Sequence, residues 1–243
     1  MDANRVFSRA QLVSDIKNLG VCTGDILFIH SSFKSIGTID GGAATIISAL
    51  EDAVGTTGLL LMPSFNLIKR ELRAAAWNIE TTPSTVGYLT EYFRTMPGTV
   101  RSNHYSHSVA ARGQRAVEFV AGHLCQDGPG SPWDLLPWGK TYGVQSPMWK
   151  AYESGGKILM LGTDYSSSTY VHIVETLWWN RRRQKDPAEI FVGFNRNKLG
   201  EYWDAHGDLR RGTVGLADTR LFPIRAYVDK LLEVVEEDPN PWM

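Results

Sequence analysis

His172 and Glu175 lie three residues apart in a segment whose apolar residues have helical spacing. On a helix this spacing places both side chains on one face. A carboxylate beside an imidazole fixes its tautomer and stabilises the imidazolium, as a general base near neutral pH requires. The positive end of the helix dipole near His172 opposes protonation, so the carboxylate has to outweigh it. The pair is a candidate for proton abstraction, although from spacing alone an ordinary buried His–Glu pair is the more frequent arrangement.

Two polar segments hold further candidates. His30-Ser31-Ser32 follows an apolar run, and backbone amides and hydroxyls in such a loop suit an anion or a carbonyl oxygen. The segment 101–108 is dense in hydrogen-bond donors and would suit a phosphate or a pantetheine-like chain. Ordinary polar loops have the same composition, so both interpretations stay open.

Aromatic and basic residues give weaker indications. Trp133 and Trp138 lie in a Gly/Pro-rich loop and are the better candidates for stacking on a ligand. A basic cluster, defined by Lys69, Arg70 and Arg73, occupies an irregular segment. The arginines at 181–183 end the helix of His172, where cations are favoured by the helix dipole and are typical of a solvated end.

Several familiar motifs are excluded. Gly139-Lys140-Thr141 matches the end of a P-loop, but Asp134 stands where the first glycine is required. The sequence also lacks G-x-G-x-x-G, G-x-S-x-G and H-E-x-x-H. His104-x-x-His107 has no third ligand nearby, whereas zinc needs three or four. We therefore expect no metal.

Length and composition bound the class of protein. The chain has 243 residues, 43% of them hydrophobic, and a net charge of −1. These values favour one domain, residues 1–243, and give no reason to expect nucleic acid or membrane partners. No apolar run spans a bilayer, the N-terminus lacks a signal-peptide stretch, and two cysteines, Cys22 and Cys125, cannot form a disulfide framework. We expect a cytoplasmic protein, and a homo-oligomer is compatible with the sequence.

Apolar runs at 25–30, 59–62 and 158–161 predict buried strands, each followed by polar residues. They alternate with segments of helical spacing, which indicates an α/β fold with a mixed, largely central sheet flanked by helices. Ligands of open α/β sheets collect beyond the carboxyl ends of strands, so three polar loops are expected to converge there. The remaining predicted elements are helices at 12–19, 46–54, 83–96, 114–124, 147–154, 169–183 and 224–235, and strands at 190–194 and 213–216.

A series of different short motifs is spread in order over most of the chain. They are Gly24-Asp25, His30-Ser31-Ser32, Gly41-Gly42, Met62-Pro63-Ser64-Phe65-Asn66, Thr82-Pro83-Ser84, Gly87, Leu89, Glu91, Phe93-Arg94, Pro97-Gly98, Arg101-Ser102, His104, His107-Ser108, Ala110-Ala111, Gly113, Gly128-Pro129-Gly130-Ser131-Pro132, Leu161-Gly162 and Thr169-x-x-His172-x-x-Glu175. In order and spacing they resemble the aminoglycoside 3-N-acetyltransferase family, the antibiotic N-acetyltransferases that are unrelated to the GNAT superfamily.

The resemblance implies the fold of that family and acetyl transfer from acetyl-CoA, without a metal, to an amino group of an amino-sugar ring. It implies that His172 is the general base and that Glu175 orients it, with His107 as the other candidate base. The residues expected to hold acetyl-CoA and the thioester oxygen are His30, Ser31, Ser32, Arg101, Ser102, His104, Ser108, Ser131 and Pro132. Those expected on the acceptor side are Phe65, Asn66, Asn78 and Glu91.

The chain departs from the family pattern on the acceptor side. Trp77-Asn78-Ile79 stands where the family usually has Phe-Asp-Pro, and Tyr105 stands where it has proline after a histidine. Because Asn78 lacks the negative charge that would attract a polycation, we expect a less cationic amino sugar, such as a nucleotide-linked one of surface-glycan biosynthesis whose phosphates meet the basic cluster. An aminoglycoside, as in antibiotic resistance, is the other acceptor. Two alternatives on the same fold stay open: a serine-type hydrolase and a non-catalytic CoA- or sugar-binding module.

Overall fold

The computed structural model describes residues 5–243. Strands and helices alternate over most of this range. The strands are β1 (Val6–Phe7), β2 (Ile26–Ser31), β3 (Thr38–Ile39), β4 (Leu59–Pro63), β5 (Val100–Arg101), β6 (Val109–Gly113), β7 (Lys157–Leu161), β8 (Arg210–Val214) and β9 (Ala217–Pro223). The helices are α1 (Arg9–Leu19), α2 (Gly42–Val54), α3 (Tyr88–Thr95), α4 (Ala116–Val120), α5 (Pro147–Glu153), α6 (Tyr170–Lys185), α7 (Arg196–His206) and α8 (Ile224–Glu237).

Seven strands form a mixed central sheet in the order β5-β6-β4-β2-β7-β9-β8, while β1 and β3 pair separately. The three central strands, β4, β2 and β7, are parallel, and antiparallel strands flank them on both sides. The register pairs His30 with Met160 and Ser31 with Leu161. The predicted mixed, central sheet flanked by helices is therefore confirmed, and the three predicted buried strands form its centre.

Helices cover both faces of the sheet. Successive residues of a strand point to opposite faces, so neighbouring residues of β2 pack in different layers. On one face Leu27 and Ile29 pack with α1, α2 and α3. On the other face Phe28 packs with helices α4 to α8. The side chains in both layers are almost completely buried, so the central strands are held from two sides.

Local capping explains several helix boundaries. Ser8 accepts a hydrogen bond from the backbone N–H of Gln11, and Gly20 ends α1 in the left-handed conformation with φ 110°. Ser146 caps α5 in the same way, with Pro147 in its first turn. These are the boundaries that the sequence predicts.

Other predicted elements differ from the structure. The helix expected from residue 83 begins only at Tyr88, and the one expected over 114–124 shortens to α4. The serines at 166–168 do not cap α6, because Ser166 and Ser167 lie in a separate 3-10 turn that Asp164 caps. Residues 190–194 form no strand. No helix within residues 5–243 is long and apolar enough to cross a membrane.

Candidate active site

The loops that follow β2, β4 and β7 meet at one edge of the sheet, as parallel neighbouring strands require. They surround a cavity of about 410 Å³. The cavity is lined by His30, Ser31, Pro63, Phe65, Leu67, Arg73, Val86, Thr90, His107, Trp133, Ser166, Ser167, Thr169, His172 and Arg196. The predicted convergence of three polar loops is confirmed.

His172 and Glu175 form an ion-pair geometry in the first two turns of α6. Nδ1 of His172 lies 2.5 Å from Oε2 of Glu175. The other carboxylate oxygen accepts a hydrogen bond of 2.8 Å from the backbone N–H of Phe194. The His172 side chain is 23% exposed, whereas that of Glu175 is 2% exposed. Because Nδ1 is occupied by the carboxylate, Nε2 is the nitrogen left to exchange a proton with a ligand.

Aromatic rings hold the His172 imidazole in place. The Trp133 ring meets it edge-on at 4.9 Å between centroids, and the Tyr142 ring lies 6.5 Å away. The loop of Trp133 is tied down by Tyr105, whose hydroxyl donates to the Trp133 carbonyl at 2.7 Å. Trp138 does not line the cavity; it packs against Trp77 instead. Of the two tryptophans predicted to stack on a ligand, only Trp133 is positioned to do so.

Three further histidines form a buried group beside the cavity, the histidine cluster of His104, His107 and His123. The rings of His104 and His123 stack at 4.7 Å, and His107 lines the cavity. Burial, with like charge from His172, holds the pKa of His107 well below its usual value of 6.5. Burial lowers the pKa of His123 to about 4, against a hydrogen bond to the Thr141 carbonyl. The cluster is therefore neutral at physiological pH.

His30 and Ser31 reach the cavity from the end of β2. Burial, followed by the charge of Arg196, lowers the pKa of His30 to about 3, so this imidazole is neutral. Its Nε2 accepts a hydrogen bond of 3.4 Å from the backbone N–H of Thr169 at the start of α6. The hydroxyl of Ser31 is buried and has no hydrogen-bond partner among residues 5–243. A ligand oxygen in the cavity would supply that partner.

Several residues predicted to bind CoA lie outside the cavity lining. Arg101 points inward: its guanidinium donates to the carbonyls of Ser64 and Thr82 and to Ser108 Oγ, and it lies 4.4 Å from the Trp77 ring. Burial lowers its pKa to about 10. Arg101 is therefore used within the protein, and Ser108 likewise donates to the Ser64 carbonyl. Ser102 Oγ and His104 Nδ1 accept hydrogen bonds from the backbone N–H groups of Val109 and His107.

The remaining predicted contacts are also used internally. Ser131 bonds to Asp134, Pro132 offers its carbonyl to Arg70, and Ser32 accepts from Ser35. On the acceptor side, Phe65 lines the cavity, but Asn66, Asn78 and Glu91 do not. Asn66 is buried, Asn78 caps a turn through the N–H groups of Glu80 and Thr81, and Glu91 pairs with Arg94. We do not include these residues in the site, which keeps His30, Ser31, Phe65, His107, His172 and Glu175 of those predicted.

Two arginines of the cavity were not predicted as site residues. Arg73 belongs to the basic cluster, which the sequence singles out as a possible phosphate contact. Arg196 is the first residue of α7, a helix that the sequence pattern does not predict. Lys69 and Arg70, the other members of the basic cluster, are exposed and do not line the cavity. No group of three or more histidine, cysteine or acidic residues within residues 5–243 is arranged to hold a metal ion.

Comparison with known proteins decides the family. Residues 28–236 match the family model of the aminoglycoside 3-N-acetyltransferases. The chain belongs to this family. The family identified from the motifs is thereby confirmed, and the chain is an acyl-CoA-dependent N-acetyltransferase with acetyl-CoA as co-substrate.

Two curated relatives of this acetyltransferase are distant in sequence but align with nearly its whole length. It is 30% identical to aminoglycoside N(3)-acetyltransferase IV of Salmonella sp, over 95% of this chain and 88% of that protein. It is 27% identical to the SPbeta prophage-derived aminoglycoside N(3')-acetyltransferase-like protein YokD of Bacillus subtilis (strain 168), over 91% of this chain and 90% of that protein. The crystal structure of YokD superimposes with a TM-score of 0.78 at 25% identity, covering 99% of this chain and 97% of that one. The predicted family fold is confirmed.

Proposed function

We propose that this acetyltransferase moves the acetyl group of acetyl-CoA to an amino group of an amino sugar, with His172 as general base and Glu175 as its orienting partner. The observation that carries this proposal is the 2.5 Å contact between His172 Nδ1 and the buried Glu175 carboxylate, on the wall of the cavity. A buried carboxylate that is held by a backbone N–H fixes the imidazole tautomer and stabilises its protonated form.

Nε2 of His172 takes a proton from the acceptor nitrogen as that nitrogen attacks the thioester carbonyl. A new C–N bond forms, the C–S bond breaks, and the departing sulfur receives the proton from the His172 imidazolium. The products are an amide and the free thiol of CoA, so no covalent enzyme intermediate is needed. His172 is thus base in the first half of the reaction and acid in the second.

His107 is the weaker candidate for the base. Its Nδ1 is engaged with Ser106 Oγ at 2.7 Å, and no carboxylate of residues 5–243 pairs with it. Burial and the neighbouring His172 both disfavour a positive charge on it. A base must hold the abstracted proton during the reaction, and of these two histidines His172 is the one with a carboxylate partner in the part of the chain that the structure describes.

Ser31 is the residue we assign to the oxygen of the thioester. Its hydroxyl is buried, unpartnered among residues 5–243 and part of the cavity wall. A donor already in place stabilises the negative charge that develops on the oxygen in the transition state. Co-substrate binding by this fold agrees with the solved complex of AAC-IIIb with CoASH, 24% identical to this chain.

Thiol release from acetyl-CoA tests the proposal with two acceptor sets in parallel, 2-deoxystreptamine aminoglycosides and nucleotide-linked amino sugars. The names of the curated relatives favour the first set. Release with either set supports amino-sugar N-acetylation, and the set with the lower KM identifies the acceptor class. Turnover of simple esters without CoA would favour the hydrolase instead. Binding of acetyl-CoA with no turnover of any acceptor would favour a non-catalytic module.

A further inference from the structure

The charged residues that line the active-site cavity distinguish between the two acceptor classes, aminoglycosides and nucleotide-linked amino sugars. Two guanidinium groups, those of Arg73 and Arg196, line the cavity, and no aspartate or glutamate of residues 5–243 does so. We infer that Arg73 binds a phosphate group of the acceptor, which makes the acceptor a phosphate-bearing amino sugar, and a nucleotide-linked one represents this class in the test. The inference rests on the proposed N-acetylation and names the acceptor of that same site.

The Arg73 guanidinium has hydrogen-bond donors that no residue of 5–243 uses. Its Nε donates to the Ile68 carbonyl at 2.7 Å, which fixes the plane of the guanidinium and leaves both terminal nitrogens without a partner in residues 5–243. It forms no ion pair with any carboxylate of that range. A planar, oriented guanidinium with two free nitrogens matches the oxygens of a phosphate.

Arg70 adds a second positive charge next to Arg73. Its guanidinium donates to the carbonyl of Pro132, so the side chain is fastened to the loop that carries Trp133. Burial lowers the pKa of Arg73, and the charge of Arg70 lowers it further, although Tyr105 and Glu71 oppose this. Two like charges held close together are stabilised by an anion between them.

The cavity lining within residues 5–243 contains no carboxylate that could bind a polycationic acceptor. Three carboxylates of neighbouring elements are already paired: Glu175 with His172, Glu91 with Arg94, and Asp134 with Lys140. The several ammonium groups of an aminoglycoside would face two arginines without a compensating carboxylate. Such like-charge contacts are a common way to exclude the wrong ligand.

CoA also carries phosphates, so the two arginines have to be distinguished. Arg73 lies in the segment 64–82, which follows β4, whereas Arg196 is the first residue of α7. The two cations therefore reach the cavity from different elements of the fold. Because the segment 64–82 also supplies Phe65, we assign Arg73 to the acceptor and leave Arg196 as the cation available to CoA.

Calorimetric binding separates the two sources of phosphate. UDP-glucosamine is titrated into protein saturated with CoA, for the wild type and for Arg73→Gln, Arg73→Lys and Lys69→Gln. Because Arg73→Gln removes a charge-assisted hydrogen bond, we expect it to raise the Kd of UDP-glucosamine by about 10- to 100-fold. Arg73→Lys should recover part of the loss. Lys69→Gln is the matched control, since Lys69 lies in the same segment outside the cavity lining, and should change Kd by less than about twofold.

Two further titrations complete the test. Methyl glucosaminide, which has the sugar but no phosphate, should bind the wild type as weakly as UDP-glucosamine binds Arg73→Gln. The Kd of CoA alone should be the same for wild type and Arg73→Gln. The inference is overturned if Arg73→Gln weakens CoA instead, or if the aminoglycoside neamine binds the wild type more tightly than UDP-glucosamine. Thermal unfolding checks that each variant is folded. If Arg73→Gln does not fold, Arg73→Lys, at the same partly exposed position, is compared with the wild type instead.

These binding results stand apart from the acetylation test. If no acceptor releases thiol, the proposed N-acetylation fails, but the calorimetry still shows whether Arg73 binds phosphate. If thiol is released only with aminoglycosides, the N-acetylation holds and the assignment of Arg73 fails.

Discussion

The His172–Glu175 pair and the histidine cluster are neighbouring regions of this molecule, and the two differ in nearly every property that matters for proton transfer. His172 is partly exposed at the cavity and has a carboxylate at 2.5 Å. The histidine cluster is buried, has no carboxylate partner among residues 5–243, and bonds to hydroxyls and backbone groups instead. A positive charge is thus stabilised in one region and excluded from the other.

The difference shows that the type of side chain does not decide its role. All four imidazoles have the same intrinsic chemistry, but burial without a counter-charge keeps three of them neutral. Those three organise the segment 101–108 through hydrogen bonds and ring stacking. Only the imidazole with both a carboxylate and access to a ligand can alternate between its charged and neutral forms during turnover.

Removal of the proposed base should have the largest effect on activity. His172→Ala should lower kcat by about 1,000-fold, within the range expected for a general acid–base, and should abolish the loss of rate at low pH that a titrating base causes. The measurement is thiol release from acetyl-CoA as a function of pH. His107→Ala is the matched comparison: it should keep the low-pH loss of rate.

The comparison would be wrong if the two variants exchanged these behaviours. A His107→Ala enzyme that lost the low-pH decline, together with most of kcat, would place the base in the histidine cluster. A circular dichroism spectrum of each variant separates this outcome from misfolding.

Removing only the negative charge tests the carboxylate. Glu175→Gln retains an oxygen for the Phe194 N–H but no longer stabilises the imidazolium. We expect kcat to fall by on the order of 10- to 100-fold, with little change in KM, because the partner of a functional histidine acts through that histidine. An equal rise in KM with unchanged kcat would show that Glu175 serves binding instead.

The buried side of the comparison is tested by acid. Unfolded His123 binds a proton near pH 6.5, but folded His123 does so only near pH 4, so between these values the unfolded state holds more protons. Stability therefore falls as the pH drops through this window. From pH 7 to pH 5 the free energy of unfolding should decrease by about 2 kcal/mol more in the wild type than in His123→Gln. Urea unfolding at the two pH values measures this difference.

The exposed His206 provides the control for that experiment. It lies at the end of α7, stacked on Tyr202, outside both regions. His206→Gln should leave the wild-type pH dependence in place. If His123→Gln shows the same slope as His206→Gln, burial of the cluster does not govern acid stability.

The hydroxyl groups of the two regions also differ, and we expect the loss of one of them to change the rate least. In the histidine cluster the hydroxyls of Ser102 and Ser106 are bonded to imidazoles, whereas at the cavity the hydroxyl of Ser31 has no partner within residues 5–243. Ser31→Ala should lower kcat by about tenfold, somewhat less than loss of a stronger oxyanion donor. Thiol release at saturating acetyl-CoA measures it. An increase in the KM of acetyl-CoA alone would assign Ser31 to ground-state binding.

Much of the fold could be predicted because its central strands are uninterrupted apolar runs bounded by glycine or proline. The missed elements had weaker patterns. β6 is short and rich in alanine, and the strand expected over 213–216 in fact spans the turn at Gly215 that joins β8 to β9. In α7 one of the three buried positions is Gly200, where a Cβ would come within 2.0 Å of the Tyr165 ring, so the apolar pattern of a helix is broken there.

Contacts in the candidate site could be predicted where they depend on local spacing and not where they depend on the direction of a side chain. His172 and Glu175 are one helical turn apart, so their contact follows from the sequence. The donors of the segment 101–108 are equally dense in sequence, but only the folded chain shows that Arg101 turns towards the carbonyls of Ser64 and Thr82. Arg196 comes to the cavity from a distant helix, which no local pattern indicates.

The irregular segment 64–82 has an evolutionary consequence. It leaves the sheet after β4, contains only a short 3-10 turn over Arg70–Leu72 as regular structure, and is largely exposed from Leu67 onward. Loops of this kind tolerate insertion, deletion and substitution far better than the elements they connect. His172 and Ser31, by contrast, stand on α6 and β2. Under the proposed function, a lineage can therefore exchange one acceptor for another by changing the sequence of this loop, while the residues proposed to transfer the acetyl group are inherited unchanged.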